Sequence, residues 1–163
     1  MTTIIGDPAR KVLVADSQIS DDDSDTKSMQ NNKVYRVPQG WLAGAGDVTS
    51  IQEVVKYFND GKKGKAPIIK DAADADFMIL TEEGIFVSGK DLRFWQIFTP
   101  DALGSGTLAA LAAMTLGHTA EEACWAACQT DLYSGGDVKV YTFEAKEPVV
   151  YKKDALQRPE WPP

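Results

Sequence analysis

The order of elements along the chain predicts an α+β fold in a single domain. Short β-rich runs come first. Two consecutive alanine-rich helices come late, and an alternating strand follows them. Regular βαβ alternation would have indicated a parallel α/β sheet instead. No internal repeat and no interdomain linker is visible, so one domain is expected over residues 1–163, with 144–163 as a C-terminal strand and tail.

Val12, Leu13 and Val14 form a β-rich run ending in Ala15-Asp16. Residues 34–37 and 41–45 read as strands separated by Pro38-Gln39-Gly40, which is turn chemistry. Residues 48–60 read as a helix. Ile51, Val54, Val55 and Phe58 recur at i, i+3, i+4 and i+7, Asp47 or Thr49 suits its start, and Gly61-Lys62-Lys63-Gly64-Lys65 ends it. Residues 76–81 and 84–88 form an expected hairpin around Glu82-Glu83, and 92–99 extend the sheet. A second helix is expected over 107–116. A third begins at Thr119, where Glu122 completes the capping-box spacing. Their alanines, among them Ala110, Ala113, Ala123 and Ala127, permit close approach of neighbouring elements. Residues 137–143 alternate as a strand, and the proline-rich end, 158–163, reads as a terminal arm.

Composition excludes several classes. Charged residues make up 25% and hydrophobic residues 44%, which fits a globular domain and not a disordered chain. No apolar run approaches the roughly 20 residues needed to span a bilayer. No signal peptide is evident, so a cytoplasmic protein is expected. A net charge of −7 gives a nucleic-acid partner no electrostatic support. The run Asp21-Asp22-Asp23-Ser24-Asp25 lacks the glycine and terminal glutamate of an EF-hand loop and reads as a solvated loop. Cys124 and Cys128 share one helix face. With His118 the only histidine, they read as packing thiols, and neither a metal site nor a cofactor is expected.

Five short segments remain: Met1-Thr2-Thr3-Ile4-Ile5, Ala15-Asp16-Ser17-Gln18, Lys33-Val34-Tyr35-Arg36, Gly104-Ser105-Gly106 and Asp131-Leu132-Tyr133-Ser134-Gly135-Gly136. Taken singly, Asp16 and Lys33 read as surface charges, Ser105 as a turn serine and the Asp131 segment as a helix-ending turn. In this order they resemble the β-type subunits of the proteasome family, including the bacterial HslV peptidase. The resemblance covers roughly residues 2–143 and is weak over 61–100.

That resemblance implies a four-layer αββα sandwich of two antiparallel sheets, the fold of the N-terminal nucleophile hydrolases. It makes Thr2 the nucleophile and its α-amine the base, with Lys33 beside the Thr2 hydroxyl and Asp16 keeping Lys33 charged. Ser105, Asp131 and Ser134 would hold the amine, and the Gly44 N–H in Leu42-Ala43-Gly44-Ala45-Gly46-Asp47 would serve as oxyanion donor. Ile19, Ser20, Tyr35, Leu42 and Gly46 would contact the peptide, which adds as a strand to this edge, in an apolar pocket. Partners implied are peptide or unfolded protein, homo-oligomeric stacked rings and an ATP-dependent unfoldase.

A threonine hydroxyl needs a base within hydrogen-bond reach. A free α-amine, with a reference pKa of about 7.7, meets that need on the same residue. Met1 must therefore be removed, and Met before a small residue suits cytoplasmic removal without a long propeptide. Two other readings stay open. One is an amino-terminal-nucleophile amidase on a small amide. The other is a catalytically silent ring or scaffold protein that retains Met1.

Overall fold

The computed structural model describes residues 2–18, 33–70 and 75–152. Met1, Ile19, Ser20, the acidic run 21–25 and the arm 158–163 lie outside the described residues. Strands β1 (Ile4–Asp7) and β2 (Val12–Ala15) form a hairpin, in which Asp7 accepts from the Ala9 N–H at 3.1 Å and so shapes the turn. Strands β3 (Val34–Val37) and β4 (Gly40–Gly46) lead into helix α1 (Val48–Asn59). Then come β5 (Ala75–Leu80), β6 (Ile85–Ser88), β7 (Trp95–Ile97) and β8 (Asp101–Leu103). Helices α2 (Thr107–Thr115) and α3 (Ala120–Thr130) precede β9 (Val138–Thr142) and β10 (Val149–Tyr151).

The strands form two five-stranded antiparallel sheets, ordered β10-β9-β2-β1-β8 and β3-β4-β5-β6-β7. The two-residue period of a strand sends alternate side chains to opposite faces, and here both faces are buried. Ile4, Leu13 and Ala15 meet Trp41, Ala43, Met78 and Leu80 between the sheets. Ile5, Val12 and Val14 face the other way, onto Ala110, Ala123 and Ala127 of α2 and α3. Leu42, Phe77 and Ile79 pack on Ile51, Val54 and Phe58 of α1. The result is the four-layer α+β sandwich, with α2 and α3 outside one sheet and α1 outside the other. The small alanines let the paired helices lie close to their sheet.

Local signals set the helix ends. Asp47 caps α1 by accepting from the Ser50 N–H at 2.8 Å. Thr119 and Glu122 form the reciprocal capping box of α3. Cys124 is fully buried on α3 and carries no disulfide. A hydrogen bond with Cys128, and then burial, push its thiol pKa well above the ordinary range, so it is an inert packing group.

Leu42 corrects one expectation. It points away from the space between the sheets and is 0% exposed beneath α1, so it does not line a peptide pocket. Leu42→Ala should therefore lower stability by about 2–5 kcal/mol in urea denaturation. An unchanged midpoint would contradict its place in the core.

Candidate active site

Strand register brings the first acidic residue to the amino terminus. The Ile4–Ala15 pairing continues one step outward, where the Asp16 N–H donates to the Thr3 carbonyl at 3.1 Å. Asp16 thus reaches Thr2 and Thr3 through the backbone ladder. Its Oδ1 accepts from Lys33 Nζ at 2.7 Å, the Thr3 N–H at 2.8 Å and Thr2 Oγ1 at 3.1 Å. Its Oδ2 accepts from the Gly135 N–H at 2.9 Å and the Gln18 N–H at 3.4 Å. All five partners donate, which suits a carboxylate, an acceptor-only group.

Lys33 stands just before β3, on the opposite sheet. The Lys33–Asp16 ion pair therefore ties the two sheets together, with side chains 8% and 0% exposed. Burial lowers the Lys33 pKa, and the Asp16 carboxylate opposes that shift.

A second acidic group approaches from the α2–α3 side. Ser105, in the turn between β8 and α2, donates to Asp131 Oδ2 at 2.5 Å. Ser134 donates to the same oxygen at 2.5 Å. Burial pushes the Asp131 pKa up, but the two serine hydrogen bonds, with one from the Tyr133 backbone and the charge of the amino terminus, together hold the carboxyl below the usual range. Ser134 Oγ also lies 2.6 Å from Thr3 Oγ1. The glycines flanking Ser105 have a steric cause. A Cβ on Gly104, at φ +94°, would sit 1.8 Å from the Thr2 carbonyl oxygen, and one on Gly106 would sit 1.9 Å from Thr3 Oγ1.

Thr2, Asp16, Lys33, Ser105, Asp131 and Ser134 are thus gathered into one region. Thr2 borders an open cleft of about 420 Å³, whose walls include Ala45, Gly46, Asp76, Ser105 and Thr107. Gly46 lies in that wall, whereas Tyr35 packs with the α1 cluster, on the same side of the sheet as Leu42. The lining is mixed in character and includes Asp76 beside apolar residues, where an apolar pocket was anticipated. The Gly44 N–H donates to the Lys33 carbonyl at 3.3 Å, and its Cα faces Ile51. It is therefore engaged between strands and does not stand free as an oxyanion donor. Sequence reasoning passed over Thr3 and the Gly135 N–H. The Thr2-Thr3 doublet and the Gly135-Gly136 pair were the visible signals. Among the described residues, no three His, Cys, Asp or Glu side chains gather as a metal-ligand set.

No protein-family model matches this sequence, and no curated protein matches it. Among solved structures, a eukaryotic HslV from Trypanosoma brucei superposes with a TM-score of 0.66. The alignment covers 93% of this chain and 99% of that one, at 16% identity. At that identity the likeness concerns the fold, and the fold is the HslV-type sandwich.

Removing Asp16 would strand the Lys33 ammonium in the interior. Asp16→Ala should cost about 3–5 kcal/mol in urea denaturation, and adding Lys33→Met should recover much of it. An Asp16→Ala protein as stable as the parent would refute the buried pair. The sign of the pH effect follows from the lowered Lys33 pKa. The unfolded chain holds that proton more tightly, so the Lys33 contribution makes stability rise as pH climbs from the lowered value toward the ordinary lysine range.

Proposed function

We propose that this chain is a threonine peptidase of the proteasome and HslV kind, with Thr2 as nucleophile once Met1 is removed. The observation that carries this reading is the sharing of Asp16 Oδ1 by the Lys33 ammonium and the Thr2 hydroxyl. On this reading the Lys33 ammonium, held on the same carboxylate oxygen, is the positive charge that favours a nucleophilic Thr2 oxygen. The fold, the cleft beside Thr2 and the Ser105–Asp131–Ser134 group support the same reading.

In the proposed reaction the Thr2 hydroxyl proton passes to the free α-amine as Oγ1 attacks the peptide carbonyl carbon. Lys33 lowers the cost of negative charge on Oγ1. The tetrahedral intermediate collapses as the C–N bond breaks, and the amine's proton goes to the departing nitrogen. Water then hydrolyses the acyl ester on Thr2, again with the amine as base. While Met1 is attached, the Thr2 nitrogen is an amide and cannot accept the proton. The substrate we propose is extended peptide or unfolded protein. Stacked homo-oligomeric rings, an ATP-driven unfoldase partner and a cytoplasmic site of action complete the reading.

Intact-protein mass spectrometry with a threonine-directed β-lactone tests it. A chain lacking Met1 should gain one inhibitor mass, and Thr2→Ala should gain none and hydrolyse no peptide. Turnover by Thr2→Ala would rule out this nucleophile. Lys33→Ala should lose activity by at least about 100-fold, the usual scale for a lost electrostatic stabiliser. Near-parental rates would remove Lys33 from the site.

A further inference from the structure

We propose that Thr3 is a positioning residue of this site, whose hydroxyl donates to Ser134 Oγ and so fixes which way the hydrogen bonds around Thr2 run. The proposal rests on the reading of Thr2 as nucleophile for its kinetic consequence, though not for its hydrogen-bond geometry.

Thr3 touches both acidic groups. Its N–H donates to Asp16 Oδ1 at 2.8 Å, and its carbonyl accepts from the Asp16 N–H at 3.1 Å. Its hydroxyl lies 2.6 Å from Ser134 Oγ. The side chain is 0% exposed, and Gly106 leaves the space that Oγ1 occupies. A buried threonine with all three polar groups committed in this way is more constrained than packing alone requires.

Proton counting sets the direction of the chain. The Asp131 carboxyl is held ionised and has no proton to give, so Ser105 and Ser134 must both donate to its Oδ2. Ser134 has one hydroxyl proton, and it is spent on Asp131. The 2.6 Å contact then requires Thr3 Oγ1 to be the donor. Ser134 Oγ accepts through two lone pairs, one taken by Thr3, which leaves one. A free Thr2 amine meeting Ser134 or Ser105 therefore meets acceptors. It gives them N–H bonds, and its own lone pair stays available for the Oγ1 proton. Without the Thr3 hydroxyl, Ser134 has a second free lone pair, which favours an extra N–H on the amine and hence its protonated, non-basic form.

The test compares Thr3→Val, which keeps the shape and removes the hydroxyl, with Thr3→Ser, which keeps the hydroxyl. Chains lacking Met1 are used, with a fluorogenic peptide. Thr3→Val should lower kcat by about tenfold, the scale of one buried hydrogen bond, with little change in KM, and should move the acid limb of the pH–rate profile upward. Thr3→Ser should restore most of the rate and the parental profile. A parental profile in Thr3→Val, or equal losses in both variants, would overturn the proposal and leave Thr3 a packing residue.

A second readout needs no turnover. In a ¹³C NMR titration of the Asp131 carboxyl, Thr3→Val should raise its pKa, because losing the first link weakens the Ser134 hydrogen bond. An unchanged titration would refute the donor direction. If the parent neither hydrolyses peptide nor takes up the β-lactone, the nucleophile reading fails, while the titration still decides the role of Thr3.

Discussion

The Asp16–Lys33 ion pair is the constraint on which the rest depends. Two opposite charges removed from water are stabilised only if their remaining hydrogen-bonding capacity is met. Asp16 meets this with donors from four other places: the amino terminus, its own turn, Lys33 across the sheets and Gly135 after α3. Each must arrive in register. Strand β1 must pair with β2 so that residue 3 lies opposite residue 16, the sheets must stack so that Lys33 reaches across, and the loop after α3 must fold back. The pair therefore specifies an arrangement more than it adds stability. An apolar replacement of both partners could be neutral for folding and would still remove the carboxylate that Thr2 and Lys33 share.

The second acidic group is built on a different principle. Asp131 is partly exposed, and the groups that hold it low are led by serine hydroxyls and not by a lysine or arginine side chain. Two hydroxyls converge on a single oxygen instead. Hydroxyl donors stabilise the carboxylate without bringing a positive charge near the amine, which a lysine or arginine would do. On the proposed reading that difference matters. A neighbouring cation would keep the amine unprotonated but would also repel the proton that it must accept. On that reading the two groups would divide the electrostatic work: positive charge for the hydroxyl oxygen, and a directed hydrogen-bond chain for the nitrogen.

Much of this was legible in the sequence, for identifiable reasons. Helix α1 showed itself because Ile51, Val54 and Phe58 keep a helical period, and α3 because Thr119 and Glu122 carry its capping chemistry. The β5–β6 hairpin came out within a residue. Strand β8 was missed, and the C-terminal strand, β10, had no residue-level signal. Each has three residues, too few to display a period. Leu42 failed for a deeper reason. Strand β4 is buried on both faces, so hydrophobicity does not say which face a residue takes, and a one-residue choice separates a pocket from a core. Gly44 shares that ambiguity, since a glycine that could present its N–H to a ligand equally well lets Ile51 approach. The six polar site positions were recoverable because their types and order are unusual together, although their contacts span 131 positions between Thr3 and Ser134.

The glycines show why the motif has the form it has. Ser105 could donate to Asp131 from many backbones. What singles out Gly104-Ser105-Gly106 is that both neighbours must lack a Cβ for Thr2 and Thr3, just before β1, to pass. The Thr2 carbonyl and the Thr3 hydroxyl occupy the volumes that side chains at 104 and 106 would fill. At 104 the left-handed φ of +94° favours glycine as well, whereas at 106 the pressure is steric and comes first from the amino-terminal residues. The backbone at 106 is not left-handed, so the demand for glycine there is steric, set foremost by Thr3 Oγ1 at 1.9 Å and then by Ala127 Cβ at 3.0 Å. Glycine at 106 is thus a sequence trace of where Thr3 sits. It makes the close seating of the Thr2-Thr3 pair, and not any single acidic or basic residue, the feature around which this end of the sandwich is shaped.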